Sequence, residues 1–290
     1  MILKVGQVII FVCFYHFLTV AQALPQIIDS KSITGEGEFG FTCSPNEEIA
    51  LWVKSVGKRD TLIIMQANKI KGKWSAPKLA SFSNTGQWKD IDPIFSPDGK
   101  VVYFQSNRPR PDGTDANGFD IWAVKLFGNQ WGEPYHLGMV LNTDSSESYA
   151  SVASNGNLYF MKENENKQGN SDIYISKFIN NAYQTPTNGG LPINTIDFRE
   201  SNPFIAPDES YIIYFSSDTT GFGEVDLFIS FHEHGKWSTP KNLGQPINST
   251  LAEFCPFVNK KKLYFTRQEK GPDRMIEHIY SVDFDPNRYK

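Results

Sequence analysis

Asp90-Ile91-Asp92-Pro93-Ile94-Phe95-Ser96-Pro97-Asp98-Gly99-Lys100-Val101-Val102-Tyr103-Phe104 reads as a β-hairpin. Ile94 and Phe95 end one apolar run, and Val101 to Phe104 form a second that is β-branched and aromatic. Between them Pro97 fixes one φ, while Asp98 and Gly99 tolerate the backbone of a tight turn. A hairpin cannot bury both faces alone, so the chain must supply more sheet.

Copies of this stretch supply it. Ser44-Pro45-Asn46-Glu47, Ser154-Asn155-Gly156 and Ala206-Pro207-Asp208-Glu209 align with Ser96-Pro97-Asp98-Gly99, and Asn259-Lys260-Lys261 is a degenerate fifth copy. An apolar strand follows each turn: Ile49 to Val53, Val101 to Phe104, Leu158 to Phe160, Tyr211 to Phe215 and Leu263 to Phe265. A third strand follows at Thr61 to Met65, Asp120 to Val124, Asp172 to Ser176, Asp226 to Ser230 and His278 to Val282. A fourth carries an aromatic and a proline, as in Trp74-Ser75-Ala76-Pro77, Trp131-Gly132-Glu133-Pro134, Tyr183-Gln184-Thr185-Pro186 and Trp237-Ser238-Thr239-Pro240. Four strands per unit are the content of a propeller blade. Ahead of each turn stands a carboxylate, Glu38, Asp90, Glu147, Glu200 and Glu253, at steps of 52, 57, 53 and 53 residues. The expected fold is therefore an all-β, five-bladed β-propeller. The fifth unit lacks a fourth strand, and Leu24-Pro25-Gln26-Ile27-Ile28 is unclaimed at the other end. An N-terminal strand completing the last blade would close the ring and cover its edge.

The Pro-Asp-Gly turn, the strand Val102-Tyr103-Phe104-Gln105-Ser106-Asn107-Arg108, the strands opening Asp120-Ile121-Trp122, Asp172-Ile173-Tyr174 and Asp226-Leu227-Phe228, and the Trp-x-x-Pro strand together resemble TolB-type, WD-like propeller repeats. That resemblance implies a bacterial envelope setting, and its motifs specify blades rather than an activity. His278-Ile279-Tyr280 lacks the opening Asp, and Asn259-Lys260-Lys261 lacks the proline and glycine of the turn. Both departures point to a less regular last blade.

Residues 1–23 read as a signal peptide, with Lys4, an apolar run from Val8 to Val20, and Ala21-Gln22-Ala23 as the cleavage site. The single propeller domain is then 24–290, in a periplasmic or secreted protein, with no membrane span and expected as a monomer. A net charge of −4 leaves no basic footprint for nucleic acid. Cys43 and Cys255 fall on the innermost strands of the first and fifth units, adjacent after closure but of opposite side-chain parity, which opposes a disulfide.

Strand alternation puts the Pro-Asp-Gly turns on one face and the longer, irregular loops on the other, where recognition is expected. The five carboxylates stand near the channel mouth on that irregular face. They admit two readings: an acidic ring that meets a ligand, or a fastening in which each acid accepts backbone N–H groups. A position repeated in every unit answers a requirement repeated in every unit, which favours the fastening. Residues that break the repeat are the sharper ligand-binding candidates: Trp88 before Asp90, Asp144 before Glu147, Asp197 and Arg199 before Glu200, and Arg108 opening the longest loop. Arg267, with Lys162 and Lys54, recurs beside the ring and would also neutralise the ring acids. Asp112, Asp115 and Asn117 are oxygen-rich but lack the alternating ligand spacing of a strong Ca²⁺ loop, so no cofactor is expected. His232 and His234 project from one side of a strand without an evident third ligand.

No phosphate loop, G-x-S-x-G elbow or Cys-x-x-Cys pair is present. The expected function is an exported binding scaffold whose irregular face recognises a glycan, peptide or envelope protein. The alternative is a carbohydrate-active enzyme, a glycoside hydrolase using channel-mouth carboxylates. Such chemistry needs two carboxyls in unlike surroundings, one protonated and one ionised.

Overall fold

A computed structural model describes residues 23–28, 33, 35–83, 86–115, 118–164 and 170–290. Most of the signal-peptide segment, Asp29 and Ser30 after the closing segment, and Asn117 of the oxygen-rich loop lie outside these residues.

Five antiparallel sheets form five blades around a central axis. The innermost strands are Glu38–Cys43, Asp90–Phe95, Glu147–Val152, Glu200–Ile205 and Ala252–Asn259. The second strands are Ile49–Val56, Val101–Ser106, Leu158–Glu163, Tyr211–Ser216 and Lys262–Lys270. In the first four blades the fourth strand is split into two short pieces around Pro77, Pro134, Pro186 and Pro240, such as Gln130–Trp131 and Tyr135–His136. A proline lacks the N–H that a continuous ladder requires at that point.

The turn of the quoted hairpin recurs with one backbone solution. Glu47, Gly99, Gly156, Glu209 and Lys260 all take positive φ, between 55° and 90°. The degenerate fifth turn therefore folds like the others. The last blade is also not irregular: Lys262–Lys270 pairs with Met275–Asp283 through nine consecutive register partners. Gln26 and Ile27 pair with Ser281 and Tyr280, and the Ile28 N–H reaches the Ile279 carbonyl at 3.1 Å. The N-terminal strand thus closes the fifth blade.

The core lies between consecutive blades. Ile213, Leu227, Ile229, Leu263 and Phe265 fill the wedge between blades four and five. Ile49, Leu51, Val102, Phe104 and Trp122 do so between blades one and two. On the turn face the axis ends in an apolar dimple of about 100 Å³, bordered by Pro45, Pro97, Phe204, Pro207 and Phe257. No helix among the described residues is long and apolar enough to cross a membrane.

Candidate functional site

Each innermost strand opens on its ring carboxylate, and each carboxylate is occupied. Glu147 accepts the Thr143 N–H at 2.9 Å and the Thr143 hydroxyl at 2.5 Å, with Lys162 Nζ 3.7 Å away. Glu200 accepts the Thr195 N–H, the Thr195 hydroxyl and the Ser216 hydroxyl. Glu253 accepts the Ser249 N–H and hydroxyl, and Arg267 Nε at 2.7 Å. Asp90 accepts Ser83 Oγ at 2.9 Å and Arg108 Nη2 at 2.7 Å, and Glu38 accepts the Gly35 N–H. Asp90, Glu147, Glu200 and Glu253 have no exposed surface. Burial raises the carboxyl pKa of Glu147 and lifts that of Glu200 to about 7, against the donors that oppose it. These contacts tie each blade's entry strand to the connection before it.

Two residues beyond each ring acid the innermost strand bulges. The ladder register shifts at the same point in all five blades. The residues there, Gly40, Asp92, Tyr149, Asn202 and Cys255, all have φ between 51° and 64°. Such bulges re-aim side chains, and here they gather around one small cavity of about 30 Å³. Tyr149 Oη is hydrogen-bonded to Cys255 Sγ, and the Cys255 N–H donates to Asn202 Oδ1 at 3.1 Å. A Cβ on Gly40 would stand 3.1 Å from Asp92 Oδ1. Because four other side chains tolerate this left-handed backbone, the close approach to Asp92 adds its own demand for glycine at position 40.

Asp92 differs from the ring acids. It is 4% exposed and neither carboxyl oxygen has a hydrogen-bond partner among the described residues. Burial pushes its pKa up to about 7; the Arg59 charge opposes the rise, and Glu277 adds to it. Glu277, also buried, is ion-paired with Arg59 and accepts Gln268 Nε2 at 2.6 Å.

Tyr149 and Asn202 border both this cavity and a larger one, about 500 Å³, that opens on the irregular face. Blades three, four and five supply most of its wall, and Arg59 completes it from blade one. Asn170, Ser171, Ser201, Ser217 and Gln268 give it hydrogen-bonding groups, and Phe215 and Phe254 give it flat apolar faces. Arg199, Glu163 and Glu224 are its other charged residues.

Of the sequence-derived candidates, Arg199 lines this cavity. Glu147, Glu200, Glu253 and Asp90 are turned into the fastenings. Arg108 is held by Asp90 and stacks over Trp88, Phe104 and Trp122 at 5.6, 5.1 and 5.2 Å, and Arg267 is held by Glu253. Asp144 lies 3.5 Å from Arg110 with its side chain 87% exposed, and Asp197 is exposed on the connection before Glu200. Asp112 accepts Thr114 N–H and hydroxyl bonds within its own turn. No group of three or more His, Cys, Asp or Glu able to hold a metal is found among the described residues. Exposed His232 packs its ring on Trp237 at 4.8 Å. Both Cys43 and Cys255 are free buried thiols.

Two features escaped the repeat alignment. Leu141-Asn142-Thr143, Ile193-Asn194-Thr195 and Ile247-Asn248-Ser249 recur four or five residues before a ring acid. Their asparagines bracket Ile121, Ile173 and Leu227, accepting each N–H and donating to each carbonyl. The bulge also had a signal: Asp92-Pro93, Asn202-Pro203 and Cys255-Pro256 place a proline inside a strand that would otherwise need its N–H.

No protein-family model and no curated protein sequence matches the chain. Its fold is similar to that of an alpha-L-arabinofuranosidase from Lactobacillus brevis, with TM-score 0.52 and 13% identity over 87% of this chain and 92% of that one. It is similar as well to a GH43 endo-arabinanase from Bacillus licheniformis, with TM-score 0.51 and 12% identity over 87% and 96% of the two chains. A puromycin-hydrolyzing peptidase from Mycobacterium tuberculosis matches over 82% of this chain at TM-score 0.47 and 11% identity, and the chain spans 35% of its length. At these identities the likeness is one of fold: a five-bladed β-propeller of the kind found in GH43 enzymes.

Proposed function

We propose that the protein is a carbohydrate-active propeller that holds a glycan in the channel mouth on its irregular face. The observation that carries this is the cavity of about 500 Å³, whose wall combines serine, asparagine and glutamine groups with Phe215 and Phe254. Sugar rings present hydroxyls at their edges and apolar C–H faces, and such a wall matches both. The fold likeness to two enzymes named for arabinose-containing substrates supports a glycan over a peptide or an envelope protein. The TolB-like repeats and the signal-peptide pattern support action in the envelope or outside the cell.

A second reading, hydrolysis of the bound glycan, is favoured by one specific contrast. Asp92, whose pKa is lifted to about 7, would be the protonated carboxyl, and the Arg59 guanidinium sets Glu277 in unlike surroundings as the second carboxyl. Glycoside cleavage demands two carboxyls in unlike surroundings, and the ring acids are committed to their fastenings. Asp92 is buried, so this chemistry requires the floor of the mouth to open.

A glycan array combined with a reducing-sugar assay on envelope and plant polysaccharides tests both. Retention of oligosaccharides is the expected result, and no retention across the array would overturn the glycan reading. Product formation that disappears in Asp92→Asn, with binding retained, would establish the hydrolase. Binding without product would leave a lectin-like scaffold.

A further inference from the structure

The arginines of this protein are paired almost throughout. Arg59 meets Glu277, Arg108 meets Asp90, Arg110 meets Asp120, Arg267 meets Glu253 and Arg274 meets Glu36. Arg199 and Arg288 have no ion pair among the described residues, and Arg288 sits on the exposed C-terminal turn. Arg199 instead borders the cavity.

Its backbone is pinned from both sides. The Arg199 N–H donates to Ser217 Oγ at 2.9 Å, and its carbonyl accepts the Ser217 N–H at 3.1 Å. The guanidinium carbon lies 5.0 Å from the centre of the Phe215 ring. This cation–π contact orients the planar fork but takes none of its N–H donors. Partial burial lowers the Arg199 pKa, and no carboxylate offsets it. At this position the other units carry Gly37, Lys89, Ser146 and Ala252, so the fold does not ask for an arginine there. An exposed guanidinium held over a ring at the cavity wall, with its donors open, is suited to a carboxylate accepting two parallel N–H bonds.

The rest of the wall narrows the class. Arg59 is neutralised by Glu277, leaving Arg199 against Glu163 and Glu224. That balance disfavours a polyanion but suits one carboxylate on an otherwise neutral, hydroxyl-rich ligand, whose hydroxyls would donate to the two glutamates. We propose that Arg199 selects glycans bearing a uronic acid residue on a neutral chain. This deepens the glycan reading above and rests on it.

The test is isothermal titration of the full chain and of Arg199→Met and Arg199→Lys with matched pairs of xylo-, galacto- and arabino-oligosaccharides, each pair differing by one uronic acid substituent. The uronate-bearing member of the bound pair is expected to bind at least about tenfold more tightly, as a charge-assisted, two-pronged contact would give. Arg199→Met should erase that margin, leaving the two members of the pair with equal affinity. Arg199→Lys should restore only part of it, because an ammonium lacks the planar fork. Equal affinity within a bound pair, or a margin that survives in Arg199→Met, would overturn the assignment and leave the glycan reading standing. Absence of binding to every pair would overturn both.

Discussion

Two positions on the same strand, two residues apart, behave in opposite ways. The ring position carries a carboxylate in every blade, and every one is supplied with donors. The bulge position keeps one backbone conformation in every blade yet carries Gly40, Asp92, Tyr149, Asn202 and Cys255. Where chemistry repeats, the side chain serves the blade. Where only the backbone repeats, the fold has built five equivalent mounts and left their contents free to differ. Channel side chains that differ from blade to blade are what a ligand, which has no five-fold symmetry, can use.

The largest expected effect breaks the ring half of this contrast. Glu253→Ala strands the Arg267 guanidinium and the Ser249 N–H in a buried site, and losing one partner of such a pair costs about 3–5 kcal/mol. For a domain of this size that is a fall in Tm of roughly 6–20 °C by calorimetry. A change of less than about 2 °C would mean that the ring acids are not fastenings.

Asp92→Asn should move stability the other way. A carboxyl displaced from its ordinary 3.8 to about 7 costs up to about 4 kcal/mol to keep ionised, at 1.36 kcal/mol per pH unit. The folded chain keeps this proton where the unfolded chain has lost it, so stability falls as pH rises from about 4 to about 7. Asp92→Asn should therefore raise Tm at pH 8 and flatten the decline. A residual slope of the same sign should remain, since Glu200 is also lifted to about 7. Thermal melts at pH 5 and 8 give both quantities; an Asn variant less stable at pH 8 would mean that ionised Asp92 is compensated.

Removal of Leu24 to Ile28 uncovers the outer edge of the fifth blade. Two or three ladder bonds at roughly 1 kcal/mol each set a loss of about 2–3 kcal/mol. A truncated chain with unchanged Tm would show that the ring does not depend on this closure.

Arg199→Met should give the smallest change in stability, within about 0.5 kcal/mol, because no ion pair is broken. A large loss would return Arg199 to the structural half of the comparison.

Much of the architecture is legible in one dimension. The turn at Ser96-Pro97-Asp98-Gly99, the apolar strand after it and the Trp-x-x-Pro strand repeat often enough to count blades, and the unclaimed Ile27 and Ile28 point to the closing strand. The site is legible only in part. Trp88 and Arg108 break the repeat as visibly as Arg199 does, yet they are absorbed by Asp90 and the second-blade aromatics. Arg199 lies over Phe215 but meets no carboxylate among the described residues, and it borders the mouth.

The sequence by itself determined the blade count, the turn chemistry and the carboxylate at each blade entry, because these rest on interactions within one repeat, a few residues apart. Only the tertiary structure decided that Asp92, Tyr149, Asn202 and Cys255 face one another. Their meeting depends on a bulge in each strand and on closure of the ring, which bring together residues 53 to 57 positions apart from one blade to the next. Spacing records how often a mount occurs; what the mounts hold in common is set by the axis they share.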